Sequence, residues 1–119
     1  MTLRLFDSLT RELREFVPVV PGKAGIYICG LTTQAPPHLG HVRFAVAFDV
    51  LRRWMARGHG LDVTLIRNVT DIDDQIIRRA QQDGRAATEI AVKCERIWWE
   101  AMDRLGVLRH HVVVRVREA

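Results

Sequence analysis

The chain has 119 residues, 48% hydrophobic and 27% charged, the balance of one ordinary folded domain rather than of a disordered, highly charged chain. It contains no apolar run of about 18 residues, which excludes a transmembrane helix. Its charged start, MTLRLFDSLTRELREF, lacks the apolar stretch of a secretory signal. The formal charge is +4 and almost wholly arginine, since Lys23 and Lys93 are the only lysines; that mildly favours anionic partners.

In chain order, residues 1–24 read as an irregular N-terminal arm. Leu3 to Phe6 has strand character, Asp7-Ser8 offers turn chemistry, and Leu9, Leu13 and Phe16 have partial helical spacing. Pro18 and Pro21-Gly22 end any regular element. Ala24 to Cys29 (AGIYIC) is apolar, β-branched and aromatic, as a buried strand requires. Gly30 and the loop LTTQAPP follow. From His38 a helix is predicted, with Val42, Ala45, Val46, Val50, Trp54 and Met55 on its apolar face and Gly58 and Gly60 as stops.

Leu61 to Val69 alternates and reads as a second strand. Thr70 and the acids Asp71, Asp73 and Asp74 read as the cap and first turn of a short helix, whose dipole they complement. A longer helix, capped by Thr88, is expected to bury Ile90, Cys94, Ile97, Ala101 and Leu105 and to stop at Gly106. The tail HHVVVRV has strand propensity. This order predicts an α/β fold, a parallel sheet with right-handed crossovers. Its parts are an arm (1–24), the α/β body (25–108) and a tail (109–119) able to add a strand. One compact domain of this length has a radius of gyration of roughly 14 Å.

The chemistry concentrates in IYICGLTTQAPPHLGHVRF. Cys29-Gly30 stand at the carboxyl edge of the first strand, where open α/β sheets bind ligands. The loop then brings His38, Gly40 and His41 to the start of a helix, where free N–H groups and the dipole favour anions. Residues three apart are neighbours on a helix, so His38 and His41 can address one point. Two imidazoles there can donate to phosphate oxygens as charge develops at phosphorus. Gly40 allows close approach to the backbone. The bland alternatives are helix capping for the histidines and a small strand-end residue for Cys29. Cys94 is expected in the core. Trp98 and Trp99 point apart, one inward. Arg52, Arg53, Arg57, Arg78 and Arg79 read as solvated helix faces.

His38-Leu39-Gly40-His41 resembles the HIGH signature of class I aminoacyl-tRNA synthetases. With Cys29-Gly30, Thr32, VRFAVAFDVLRRW and NVTDIDD in the same order, the chain from Leu3 to Leu108 resembles the cysteinyl-tRNA synthetase family, especially its actinobacterial form. The resemblance implies a Rossmann-like nucleotide-binding fold, with residues 25–108 as the first half of its catalytic domain and 109–119 as a divergent tail. It implies an enzyme that is a cytoplasmic ligase, forming cysteinyl-adenylate from ATP with Mg²⁺ and then charging tRNA. It implies His38 and His41 as catalytic, and Gly30, His38, Gly40 and His41 as ATP-binding. It implies Cys29, Gly30, Thr32 and Thr70 as cysteine-binding, with Cys29 also a zinc ligand. A zinc-bound thiolate would select cysteine over serine.

The family's remaining zinc ligands, its KMSKS loop and its anticodon-binding region have no counterpart in these residues, and the tail after Leu108 departs from the family wording. Two other readings stand beside a truncated or N-terminal ligase portion. One is the cysteine–amino-sugar ligase of mycothiol synthesis, which shares the adenylate step. The other is a non-catalytic nucleotide-binding or interaction module. An unpaired sheet edge predicts self-association or a complementing protein partner; no membrane partner is expected.

Overall fold

Asp7 reverses the chain early. Its carboxylate accepts hydrogen bonds from Leu9 N (2.9 Å), Thr10 Oγ1 (3.1 Å) and Arg14 Nη1 (3.0 Å), a side-chain-stabilised turn. In this computed structural model, which describes residues 2–119, β1 (Arg4–Asp7) and β2 (Glu12–Glu15) therefore form an antiparallel hairpin. This corrects the expectation of an irregular arm. The prolines lie after β2 and end the hairpin instead of preventing it. Leu3 and Phe16 anchor it on a small core of Ala24, Met55 and Val63.

The body follows the predicted order. β3 (Lys23–Thr32) leads into α1 (Leu39–Arg53), extended by a π-helical turn over Trp54–Gly58, and then β4 (Asp62–Thr70). After it come α2 (Asp74–Asp83), α3 (Ala87–Arg104), β5 (Val112–Arg115) and a 3-10 turn over Val116–Glu118. The sheet order is β3-β4-β5, all parallel. The tail residues expected to supply a strand do so, pairing Ile66 with Val112 and Val69 with Arg115.

Both crossovers lie on one face of the sheet. Leu31 of β3, Ala45 of α1, and Trp98 and Met102 of α3 share one core cluster. Each fully buried large side chain there contributes about 1.5–3 kcal/mol through surface removed from water. The opposite face lies open: Tyr27, Val112 and Val114 are exposed, and Tyr27, Ile66 and Val112 are in register across the strands. With that face uncovered and the hairpin at one side, the radius of gyration is 16.7 Å and the dimensions are 54 × 31 × 25 Å. The molecule is thus longer than the compact value expected from its length.

The helices are rotated from their expected faces. In α1 the inward stripe is Ala45, Asp49 and Met55, while Val46, Val50 and Trp54 are exposed. A carboxylate can occupy that stripe because Asp49 accepts from Arg53 Nε (2.8 Å) and Leu108 N (3.1 Å). In α3 the buried side is Ile90, Cys94, Trp98 and Met102, and Leu105 is exposed. Trp98 is the inward tryptophan. The cap of α3 is Ala86 rather than Thr88. Gly106 adopts φ +69 just beyond that helix, a left-handed end that glycine tolerates best.

Arg52 and Arg53 are not solvated faces. Arg53 Nη2 donates to Gly106 O (2.6 Å), and Arg52 Nη1 donates to Arg109 O (2.8 Å). They fasten the segment after α3 to α1. No helix among the described residues is long and apolar enough to cross a membrane.

Candidate nucleotide site

The site begins where β3 loses its regular register. Pairing with β4 runs evenly to Ile28↔Arg67, then resumes at Leu31↔Val69 and Thr32↔Thr70, with a bulge between. Cys29 and Gly30 fill that irregularity, a common device for re-aiming residues at a sheet rim. Gly30 N donates to Asn68 Oδ1 at 2.6 Å. A Cβ on Gly30 would overlap the backbone carbonyl of Asn68. The close approach this glycine permits is that of the neighbouring strand. Thr33 N and Oγ1 both donate to Thr70 O (3.1 and 3.2 Å), which closes the rim.

The loop carries the chain from this rim to α1. His38 is the N-cap of that helix, and its Nδ1 accepts from Gly40 N at 3.1 Å. His38 N in turn donates to His41 Nδ1 at 3.3 Å. The reciprocal bonds resemble a capping box built from two imidazoles. The rings stack with centroids 3.8 Å apart and planes 21° apart. Gly40 has no side chain to meet the His38 ring, which a Cβ would approach to 2.9 Å.

Capping and ligand chemistry are compatible here. Both Nδ1 atoms act as acceptors, so the hydrogen-bond network assigns each neutral ring its proton on Nε2. Two Nε2–H donors are then left beside the positive end of α1. Burial, the neighbouring His38 and Arg67 together push the His41 pKa down, which favours the neutral ring.

Sequence reasoning missed Arg67. It lies on β4 among inward-facing Val63, Leu65 and Val69 and is 3% exposed. Its guanidinium carbon is 4.4 Å from the Trp98 ring centroid and 5.9 Å from that of Phe44. Nε and Nη1 have no hydrogen-bond partner. Burial lowers its pKa to about 10, with Cys29 acting in the opposite direction. The signal was present in the sequence: a charge at an inward position of an alternating strand.

Other candidates fall elsewhere. Of the three acids after β4, Asp73 caps α2 through Ile76 N (2.8 Å) and Asp74 lies in its first turn. Thr70 belongs to β4 instead. Asp71 turns away from the helix start; it is buried, accepts from Arg117 N at 3.2 Å and has Arg117 Nε 2.7 Å from Oδ2. Cys94 packs with Ala80 and Ile90. His111 Nδ1 accepts from Leu65 N at 2.9 Å, and His110 lies against Trp99.

Cys29 is exposed. Among the described residues no three His, Cys, Asp or Glu side chains converge to hold a metal ion. One thiol does not complete a tetrahedral site. The residues present do not fit zinc by themselves.

A βαβ unit with paired histidines at the amino end of its crossover helix is the arrangement that the synthetase resemblance implies, and the comparisons establish the family. The chain belongs to the family described as tRNA synthetases class I (C) catalytic domain, whose model matches residues 15–119. Two curated relatives carry the name Cysteine--tRNA ligase. That of Nocardioides sp. is 54% identical over 107 residues, covering 90% of this chain and 22% of the relative. That of Beutenbergia cavernae is 54% identical over 108 residues, covering 91% and 23%. The chain thus spans less than a quarter of their length.

A solved structure of Mycobacterium tuberculosis methionyl-tRNA synthetase in complex with methionyl-adenylate aligns with a TM-score of 0.69 at 18% identity. It covers 80% of this chain and 19% of that one. At that identity the likeness establishes a shared fold, a partial Rossmann-like domain.

Proposed function

We propose that this chain is the ATP-binding portion of a cysteine–tRNA ligase, acting in the formation of cysteinyl-adenylate. The observation that carries this reading is the stacked His38–His41 pair: its Nδ1 atoms are used within the cap, and its Nε2–H groups lie at the amino end of α1. A phosphate placed there meets two neutral donors and a helix dipole. In the reaction, a carboxylate oxygen of cysteine bonds to the α-phosphorus of ATP, and the bond from that phosphorus to the oxygen bridging to the β-phosphate breaks. Pyrophosphate leaves with Mg²⁺. The two imidazoles donate to the α-phosphate oxygens as charge builds on them, while Gly40 leaves room beside His38. Gly30 shapes the rim indirectly, by letting β3 and β4 close, and Thr32 and Thr70 line it in register. Cys29 offers a thiol at the same rim.

The names of the two relatives favour the tRNA enzyme over the amino-sugar ligase. The whole reaction, with tRNA as acceptor, belongs to the longer protein that such relatives represent. The test has two stages. ATP binding to the chain is measured by calorimetry, where His41→Ala should weaken affinity about tenfold or more, the scale of a lost donor to a charged group. Cysteine-dependent ATP–pyrophosphate exchange, with serine as control, then reports adenylate formation. Binding that His41→Ala leaves untouched would refute the assignment of the pair. Binding without exchange would favour a nucleotide-binding module.

A further inference from the structure

Four charged side chains are buried among the described residues: Asp49, Arg67, Asp71 and Glu95. The three carboxylates are all taken. Asp49 holds Arg53 (2.8 Å), Asp71 holds Arg117 (2.7 Å), and Glu95 holds Arg115 (2.7 Å) and the Trp99 indole (3.2 Å). The fourth group, Arg67, forms no ion pair with another described residue, and its Nε and Nη1 have no hydrogen-bond partner. A guanidinium taken out of water unpaired is among the most costly groups a fold can bury. The Trp98 face, 4.4 Å away, offsets only part of that cost and offers no acceptor for the planar fork of donors.

The place of this charge gives it meaning. Arg67 is in register with Ile28, the last regular residue before the Cys29-Gly30 bulge. Phe44, on its other side, is one turn below His41 on α1. The charge helps to lower the pKa of His41, after burial and the neighbouring His38. A fixed positive charge thus lies on the inward face of β4, one residue short of the rim bulge and within electrostatic reach of His41, and the amino end of α1 has the same sign.

We propose that Arg67 is the anion receptor of this cleft, its unfilled hydrogen-bonding capacity matched to an anionic oxygen, phosphate or carboxylate, of the ligand that enters beside His38 and His41. This rests on the proposed nucleotide site and adds to it a binding residue on β4. The arrangement divides the work: neutral imidazoles donate and can adapt as charge moves, while a buried guanidinium supplies the permanent charge. A strand holds it more rigidly than the loop that carries His38.

The test compares the full chain with Arg67→Met and Arg67→Lys, at constant ionic strength. Thermal melting without ligand and titrations with sodium pyrophosphate, Mg-ATP and cysteine (cysteamine as the control without a carboxylate) are measured on each. Arg67→Met should melt at or above the parent temperature without ligand, since an apolar chain relieves the unpaired charge. Its affinity for at least one anionic probe should fall tenfold or more, with Arg67→Lys in between. A pyrophosphate effect points to phosphate as the source, and an effect on cysteine but not cysteamine points to carboxylate.

Equal affinities in parent and Arg67→Met overturn the proposal, as does a parent chain that binds none of the probes. A lower melting temperature with unchanged affinities overturns it too, leaving Arg67 as a partner for Trp98. If Arg67→Met does not fold, the same tenfold criterion falls to a comparison of Arg67→Lys with the parent. ATP binding that ignores Arg67 refutes this inference and leaves the nucleotide site standing. Arg67-dependent pyrophosphate binding without ATP binding does the reverse.

Discussion

Replacing Gly30 by alanine is a direct test of how the site is built. The new methyl would overlap the Asn68 carbonyl and come within 2.9 Å of its Oδ1, and neither backbone can yield without the other. β3 and β4 would have to part just where pairing resumes at Leu31↔Val69 and Thr32↔Thr70. Overpacking of this kind costs about 1–3 kcal/mol. The hydrogen bond from Gly30 N to Asn68 and the two from Thr33 to Thr70 O are weakened without being lost, at about 2 kcal/mol for the three together. The total, about 3–5 kcal/mol, is a large share of the roughly 5–15 kcal/mol that holds a small domain. At about 4 °C per kcal/mol the melting temperature should fall by roughly 12–20 °C. Urea denaturation gives the free energy, and amide exchange at Leu31 to Thr33 gives the place. A loss below about 1 kcal/mol would refute the close strand contact. A fully stable variant that no longer bound ATP would show that the glycine makes room for ligand after all.

Two further predictions concern the segments around the site. Asp71→Ala removes the acceptor of Arg117 N and the partner of its guanidinium; Arg117 itself is exposed, so the lost hydrogen bonds should cost about 1–2 kcal/mol, with faster amide exchange over Val112 to Arg117 as the local signature, and unchanged exchange there would refute the tie. His110 is held down to about 4, first by burial and then by Arg67 and Arg52. Its folded form therefore binds a proton more weakly than the unfolded chain, whose histidine titrates near 6.5. The stability tied to this neutral ring is whole above about pH 6.5 and is lost as pH falls toward 4. The ring is only partly enclosed, so screening trims the loss to about 1–2 kcal/mol. His110→Gln should flatten the stability profile between pH 6.5 and 4; an unchanged slope would locate the acid sensitivity elsewhere, His41 being shifted in the same direction.

Much of the body was legible because its signals are local. Ala24 to Cys29 could hardly be anything but a strand, and Gly106 stands two residues beyond the end of α3. The order of elements then left few topologies open. The candidate residues near the rim were found because His38, Gly40 and His41 lie together in the sequence. What escaped depends on partners distant in sequence. Asp49 turns inward because Arg53 and Leu108 satisfy it, which rotates α1 away from the stripe that its apolar residues predict. Arg52 looked like solvent-facing charge because its acceptors are carbonyls beyond α3. The hairpin was hidden by prolines that lie outside it, while the Asp7 turn that makes it was visible. Arg67 is the instructive miss: alternation in β4 placed it inward, and the pattern was read for its apolar members alone.

The three-stranded sheet is built without a single local pairing, and this governs how the molecule must assemble. Lys23 finds its neighbour only at Asp62, and Ile66 finds Val112 only after α2 and α3 have folded between them. Each joining step closes a loop of some forty residues before any ladder bond forms, so refolding should be slow beside that of a helical bundle of equal size. During that delay the IYIC segment is bare on both sides. Dilution and low temperature during refolding are accordingly the conditions that should decide between native recovery and precipitate.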